Sequence, residues 1–151
     1  IANGVTHINL GAVWGWRVLS PGEPYTAGVA YDNDKYNKAI IIMTDGSNFI
    51  SSQNGRYSGY GMLNQGVLGT NNFFQAINEL NNRLTTVCTN MKAKGILVYT
   101  ITFQLFSVQT QNLMRECATD NGKYYNSPSG AELETAFQAI GAELSNLRIG
   151  R

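Results

Sequence analysis

The sequence predicts an α/β fold in which a doubly wound, mainly parallel sheet is flanked by helices. Two runs of large apolar residues, at positions 38–44 and 96–103, have the pattern of buried strands. A long amphipathic helical pattern separates them, and shorter helical patterns follow further along the chain. Strands that are apolar throughout and alternate with helices indicate a parallel sheet that is covered on both faces and joined by right-handed crossovers.

The first half of the chain contains a predicted helix, a strand and a long loop. Apolar residues at helical spacing predict a helix over 8–19, which the sequence Ser20-Pro21-Gly22 ends. The strand at 38–44 runs into a Thr-Asp-Gly turn. Residues 46–70 are rich in Gly, Ser, Asn, Gln and Tyr and show no sustained period, so we expect a long loop or insertion there.

The second half alternates helices and strands. The predicted elements are a helix over 71–94 that ends at Gly95, a strand over 96–103, a helix capped by Ser107, a short strand over 123–126 and a helix that begins at Ser129. No internal repeat interrupts this order, so we expect a single domain over residues 1–151.

Composition limits the classes of partner. The net charge is +1, from 11 basic and 10 acidic residues that are spread along the chain, so no basic stripe indicates nucleic acid. Charged residues make up only 14% of the sequence, which is more typical of an exported protein than of a cytosolic enzyme. The sequence contains neither an apolar run long enough to span a membrane nor a recognisable export signal of its own.

Asp45 stands at the carboxyl end of the first buried strand. Ligands of doubly wound sheets bind at this edge, which makes Asp45 a candidate ligand-binding carboxylate. The alternative is a strand-to-loop turn, in which Asp45 bonds the backbone and Gly46 takes a positive φ. On these residues alone the turn is favoured, because turn chemistry explains the Thr, the Asp and the Gly together.

Several separated motifs resemble one family. The segment "IIIMTDG" resembles the fourth-strand signature of von Willebrand factor A domains. In order along the chain, "WGWRVLSPGEPY", "MTDG", "YGML", "VCTNMKAKGILVYTITF", "LMRECAT" and "YYNSPSGAELETAF" are similar to the C-terminal part of TadG-like proteins of the tight-adherence (Flp) pilus assembly group. This resemblance covers nearly the whole chain and implies a von Willebrand factor A-type domain without its N-terminal strands.

The resemblance implies a site for a divalent cation. In that family the cation is held by a DxSxS motif, by a Thr of a second loop, which Thr6 matches, and by an Asp of a third loop, which Asp45 matches. Mg²⁺, Mn²⁺ and Ca²⁺ are the candidate ions, since all prefer oxygen ligands. The DxSxS motif is absent from this chain, and two oxygen ligands do not hold Mg²⁺ tightly against its hydration shell. We therefore expect the isolated chain to leave the site empty or weakly filled.

Cys88 and Cys117 lie in the predicted helices before and after the second strand. Their side chains meet only if both helices pack on the same face of the sheet, and two buried, reduced cysteines are the alternative. The resemblance implies a matched pair, and an exported protein encounters an oxidising compartment, so we expect a disulfide. A catalytic thiol is not expected, because the only histidine is His7, which we interpret as incidental.

Phe49, Tyr57 and Tyr60 belong to the long loop that follows Asp45. Aromatic side chains in polar loops are common contact residues at interfaces, and they are interface candidates here. Anchoring of the loop is an equally good interpretation. Trp14 and Trp16 are two positions apart on a helix and point in different directions, so at least one of them is expected in the core.

The resemblance implies a noncatalytic adhesion or assembly module whose binding face depends on a divalent metal. The implied partners are other pilus-assembly or surface proteins, in the periplasm or at the cell surface, with membrane attachment only through an N-terminal anchor outside this chain. Two alternatives stay open: a structural domain with a vestigial metal site, and a hydrolase that uses Asp45 as nucleophile. The hydrolase is disfavoured, since the sequence shows no P-loop, no DxDxT motif and no general acid near Asp45.

The strand order of the family has a consequence for residues 39–44. In that order this strand pairs with the absent first strand, so here it becomes an apolar edge with unpaired backbone groups. We expect a second copy of the chain, or an upstream fragment, to cover this edge.

Overall fold

The computed structural model describes residues 6–52 and 57–149 and confirms the predicted fold class. Three parallel strands form one sheet in the order β1-β2-β3. The main elements are α1 (Ile8–Leu19), β1 (Ala39–Thr44), α2 (Phe73–Ala93), β2 (Leu97–Phe103), α3 (Val108–Cys117), β3 (Tyr124–Ser127) and α4 (Gly130–Ile149). Each predicted helix and strand is present, with bounds shifted by a few residues at most.

β2 is the central strand of the sheet. It pairs with β1 from Ala39 opposite Leu97 to Thr44 opposite Thr102, and with β3 from Thr100 opposite Tyr124 onward. Its middle residues are buried on both faces, which explains why its sequence is apolar without alternation.

Three helices cover one face of the sheet. The core on this face is formed by residues of α1, β1, α2, β2 and α3 and by Ile96 just before β2. Its members are Ile8, Ala12, Ile40, Ile42, Leu84, Cys88, Met91, Ile96, Val98, Met114 and Cys117. Because α2 and α3 lie on the same face, Cys88 and Cys117 meet, and the structure joins them in a disulfide with a Cα–Cα distance of 5.1 Å. The bond fastens α2 to α3.

Among the described helices, only α4 covers the other face. Ala136 and Ile140 of α4 pack against Tyr99 and Ile101 of β2, and Tyr125 of β3 lies beside them. This leaves the outward-facing side chains of β1 uncovered on the α4 side, where Ile41 is 38% exposed and Met43 is 42% exposed.

The long loop between β1 and α2 has a small core of its own. Ile50 and Leu68 are buried against Ala76 and Leu80 of α2. The loop contains a short 3₁₀ helix at Leu63–Gln65, followed by Gly66 in the left-handed region at φ 65°. It is therefore a packed insertion where it is described.

α1 presents one tryptophan to the core. The Trp16 indole packs against the main core and donates a hydrogen bond to the Tyr31 hydroxyl at 2.8 Å, whereas Trp14 is 46% exposed. In the described part of the chain, no helix combines the length and the hydropathy needed to cross a membrane.

Candidate functional site

The carboxyl ends of the strands and the first turns of the helices meet on one side of the molecule. We call this side the carboxyl face and define it by Thr6 and His7 before α1, residues 45–49 after β1, Asn72–Phe74 at the start of α2, and residues 104–108 between β2 and α3. Both predicted cation ligands belong to this face, which is where open α/β sheets bind their ligands.

The turn after β1 is built by Thr44 and not by Asp45. The Thr44 hydroxyl donates to the carbonyl of Gly46 at 2.7 Å and accepts from the N–H of Gly46 at 3.2 Å. Asp45 is exposed, and no hydrogen bond or ion pair of its carboxylate is found among the described residues. The interpretation of Asp45 as a turn-forming side chain is therefore wrong, and its carboxylate faces solvent.

The expectation that Gly46 takes a positive φ is also wrong. A glycine is needed at this position because a side chain would have no space. Glycines with positive φ occur elsewhere in the chain, and Gly46 is not one of them. A Cβ at this position would lie 3.0 Å from the Thr6 hydroxyl oxygen. The close approach of Thr6 explains the glycine.

Thr6 lies next to the Asp45 loop. Its carbonyl accepts a hydrogen bond from the N–H of Phe49 at 2.9 Å, and its hydroxyl is in contact range of Gly46. The structure thus places Thr6 against the loop that carries Asp45, the second cation ligand implied by the resemblance, although the whole of α1 and β1 separates the two segments along the chain.

The donor set fits a hard cation in kind but not in number. Thr6 offers a hydroxyl and Asp45 a carboxylate, both oxygen groups of the type that Mg²⁺ and Ca²⁺ bind. Within the described residues, no group of three His, Cys, Asp or Glu side chains is arranged to hold a metal. The nearby Ser47 hydroxyl is already hydrogen-bonded to the Thr110 hydroxyl at 2.7 Å. These two oxygen groups are fewer than the six or more oxygen ligands that Mg²⁺ or Ca²⁺ takes.

Hydroxyl groups tie the Asp45 loop to the start of α3. Ser47 bonds Thr110, and Thr110 donates to the Ser107 hydroxyl at 3.2 Å. Ser107 is also the N-cap of α3, since its side chain accepts from the N–H of Thr110. The loops after β1 and β2 are therefore held in a fixed relative position.

Asn48 ties the Asp45 loop to α1 and to α2. Its side-chain oxygen accepts from the N–H of Ile8 at 2.8 Å, and its amide nitrogen donates to the Asn81 side chain of α2 at 3.0 Å. The N-cap residue His7 makes no side-chain cap bond, so Asn48 satisfies a donor of the first turn of α1 from across the fold. Asn48 is 3% exposed, and its role is structural.

His7, which was interpreted from the sequence as incidental, forms part of the wall of this face. Its ring lies 5.4 Å from the ring of Tyr60. Burial lowers the pKa of His7 below its usual value, and a hydrogen bond with the backbone of Phe49 partly opposes this effect. The folded protein therefore favours the neutral imidazole.

The three predicted interface aromatics divide into two groups. Tyr60 is an anchor, because its hydroxyl accepts from the Asn9 amide at 2.5 Å and its ring lies under the guanidinium of Arg83. Tyr57 is 72% exposed, and Phe49 is 44% exposed while it packs edge-on against Phe73. Tyr57 and Phe49 remain available to a partner.

Sequence reasoning missed two more exposed aromatics on the carboxyl face. Phe106, just before the cap of α3, is 91% exposed, and Phe74, in the first turn of α2, is 75% exposed. An apolar residue before an N-cap is usually interpreted as a hydrophobic staple that packs on its own helix. The exposure of Phe106 excludes that interpretation here.

Comparisons of the chain with protein-family models, with curated proteins and with solved structures yield no match. Its function must be inferred from the site itself.

Proposed function

We propose that this chain is a noncatalytic protein-interaction module, of the adhesion or pilus-assembly type, that binds a protein partner through its carboxyl face. The observation that carries this proposal is the set of exposed aromatics on the carboxyl face, namely Phe49, Phe74 and Phe106; Tyr57, in the loop after β1, is exposed as well. Aromatic side chains supply much of the binding energy at protein interfaces, and several exposed on one face are costly unless a partner covers them.

The rigidity of this face supports a role in recognition. Asn48 holds the Asp45 loop against α1 and α2, and the pair Ser47 and Thr110 holds it against α3. A partner that meets preorganised loops loses less conformational entropy than one that must order them. The exposed aromatics are therefore presented by fixed supports.

A divalent cation is the proposed link between Asp45 and the partner. Asp45 and Thr6 would each supply one oxygen, and the remaining ligands would come from a carboxylate of the partner or from another segment of a longer protein. Mg²⁺ accepts such shared coordination because it usually retains waters that an incoming carboxylate replaces. When bound, the cation would supply positive charge that attracts an acidic group.

We place the module in the periplasm or at the cell surface, where the proposed partners are other pilus-assembly or surface proteins. The disulfide between Cys88 and Cys117 supports an oxidising compartment. Membrane attachment would come from an anchor elsewhere in the protein, and nucleic acid is not a proposed partner.

Site-specific photo-crosslinking in bacteria tests this function. A photoreactive phenylalanine analogue at Phe106 is expected to crosslink a pilus-assembly or surface protein, and the yield should fall with a chelator and in Asp45→Asn. The matched control is the analogue at Tyr36, which is 62% exposed near the amino end of β1. Equal crosslinking from both positions, or none from position 106, would contradict the proposal.

The two alternatives predict different outcomes of the same experiment. A structural domain with a vestigial metal site keeps its crosslink at position 106 when the chelator is added or Asp45 is replaced. Melting of the protein with and without Mg²⁺ or Mn²⁺ would then show no shift. A hydrolase instead turns over a phosphate or ester substrate, and Asp45→Asn abolishes that turnover.

A further inference from the structure

β1 lies at an edge of the sheet although its sequence is that of a central strand. All of its residues from Ala39 to Met43 are apolar, and its single described neighbour is β2. Edge strands are normally protected by charge, proline, a bulge or short length, and β1 has none of these features over its six residues.

The unpaired backbone groups of β1 can be identified. The carbonyl of Lys38 accepts from the N–H of Leu97 in β2. Since successive residues of a strand direct their backbone groups to opposite sides, Lys38, Ile40 and Ile42 bond β2. The N–H and C=O groups of Ala39, Ile41 and Met43 therefore point to the open edge.

A groove runs beside this edge on the α1 side. It has a volume of about 340 Å³ and is lined by residues 40–44 of β1, by Ile8, Gly11 and Gly15 of α1, and by Thr6 and His7 at its carboxyl end. None of these residues is Asp, Glu, Lys or Arg. A Cβ at Gly11 would meet nothing within 4 Å. Gly11 thus leaves room for a large side chain next to the edge of β1. Gly15 does not, because a Cβ at that position would lie 2.7 Å from Cδ1 of Ile40.

The other side of the same edge is also apolar and uncovered. Ile41 and Met43 are exposed there, and Phe137 of α4, on the same face of the sheet, is 44% exposed. At the amino end of β1 a cavity of about 770 Å³ has Ala39 and Leu144 in its lining, together with Lys35 and Lys38. Along Ile41 and Met43, however, the edge has exposed apolar surface on the α4 side and the groove at Gly11 on the α1 side.

We propose that β1 receives an additional β-strand, an extended and uncharged segment with large apolar side chains on both of its faces. Its backbone would pair with Ala39, Ile41 and Met43, while alternate side chains would fill the groove at Gly11 and cover Ile41 and Met43. Strand addition of this kind obtains affinity from main-chain hydrogen bonds and specificity from pockets for alternate side chains. The groove reaches the carboxyl face at Thr6 and His7, but pairing along the backbone of β1 does not depend on a cation.

A single strand fits this groove better than a second copy of the chain. A second copy could pair its β1 with this β1 in antiparallel fashion, about a twofold axis normal to the sheet. The α1 helix of the copy would then lie on the same face of the joined sheet as the α1 helix of the first chain. A helix with its side chains is about 10 Å across. A groove of about 340 Å³ beside Gly11 accommodates side chains of a strand and not a whole helix.

A binding assay with filled and unfilled grooves tests this inference. The probe is a short, capped, fluorescent peptide of valine and isoleucine with a lysine at each end for solubility, and binding is measured by fluorescence anisotropy. Gly11→Leu fills the groove without a steric conflict and should weaken binding at least about tenfold. Gly141→Leu is the matched control, because Gly141 lies in α4 and its Cβ position is equally free.

The variants are expected to fold, since leucine is a better helix former than glycine, and thermal melting verifies this. Binding to the wild-type chain and to Gly141→Leu but not to Gly11→Leu supports the site. Absence of peptide binding, or equal binding to both variants, overturns it. A wild-type dimer that Gly11→Leu converts to a monomer also overturns it, in favour of a second copy as the occupant.

Discussion

The two edges of the sheet are built in opposite ways. β3 is a short strand, Tyr124–Ser127, with two tyrosines and an asparagine. Just before it, Lys123 forms ion pairs with Asp120 and with Glu143, each at 3.0 Å, and these acidic groups raise the pKa of Lys123 above its usual value. β1 is longer, uncharged and apolar on both faces.

This difference shows which edge the fold protects. Short length, polar side chains and a charged residue at the β3 edge are devices that discourage pairing with another strand. β1 lacks all three, although an exposed apolar edge favours aggregation. The protein therefore ends its sheet at β3 and leaves it open to extension at β1.

The largest expected effect concerns the disulfide that fastens α2 to α3, on the face of the sheet that three helices cover. Replacing Cys88 and Cys117 by alanine should lower the free energy of unfolding by about 3–4 kcal/mol, the amount expected for the chain segment that this bond closes. Urea denaturation measures the change. Mass spectrometry of periplasmically produced protein should find no free thiol, and two free thiols would contradict the disulfide between Cys88 and Cys117.

A pair of proline variants tests the direction of the backbone groups in β1. Ile42→Pro removes an N–H that bonds β2 and a buried side chain, so it should cost about 3 kcal/mol or more in unfolding free energy. Ile41→Pro removes an N–H that faces the open edge and should cost only about 1 kcal/mol, because proline is tolerated at such edge positions. Equal losses in urea denaturation would show that the assigned alternation is incorrect.

The smallest expected effect concerns His7, near the carboxyl end of β1. Its folded-state pKa is lowered, so the unfolded chain binds the proton more readily. This contribution to stability is complete above about pH 6.5 and decreases as the pH falls toward the lowered value. The loss should be less than about 1 kcal/mol, since solvent screens the partly exposed ring. His7→Gln should flatten the stability profile below about pH 6.5, and an unchanged slope would contradict this.

The sequence predicted the architecture because its signals are local and repeated. Apolar runs marked β1 and β2, Gly95 marked the end of α2, and Ser107 marked the start of α3, where its side chain indeed caps the helix. The distribution of helices over the two faces was not predictable, since it depends on how connections cross the sheet. The groove at Gly11 depends on that distribution and was invisible for the same reason.

The site was predictable only in part. The pairing of Thr6 with Asp45 as cation ligands came from a family resemblance. The structure places the Thr6 segment against the loop that carries Asp45. The role of Gly46 was misjudged because local turn rules omit a contact made by a residue far away in sequence. The exposure of Phe106 could not be inferred, since an apolar residue before a helix cap usually packs inward.

Hydrogen exchange of the β1 amides tests most directly whether this edge is an open docking edge. In the free monomer, the amides of Ile41 and Met43 should exchange rapidly while those of Ile40 and Ile42 are protected by β2. Addition of the valine and isoleucine peptide should protect Ile41 and Met43 and leave β3 unchanged. Protection of all four amides in the free monomer, or no gain in protection with saturating peptide, would contradict this interpretation of β1.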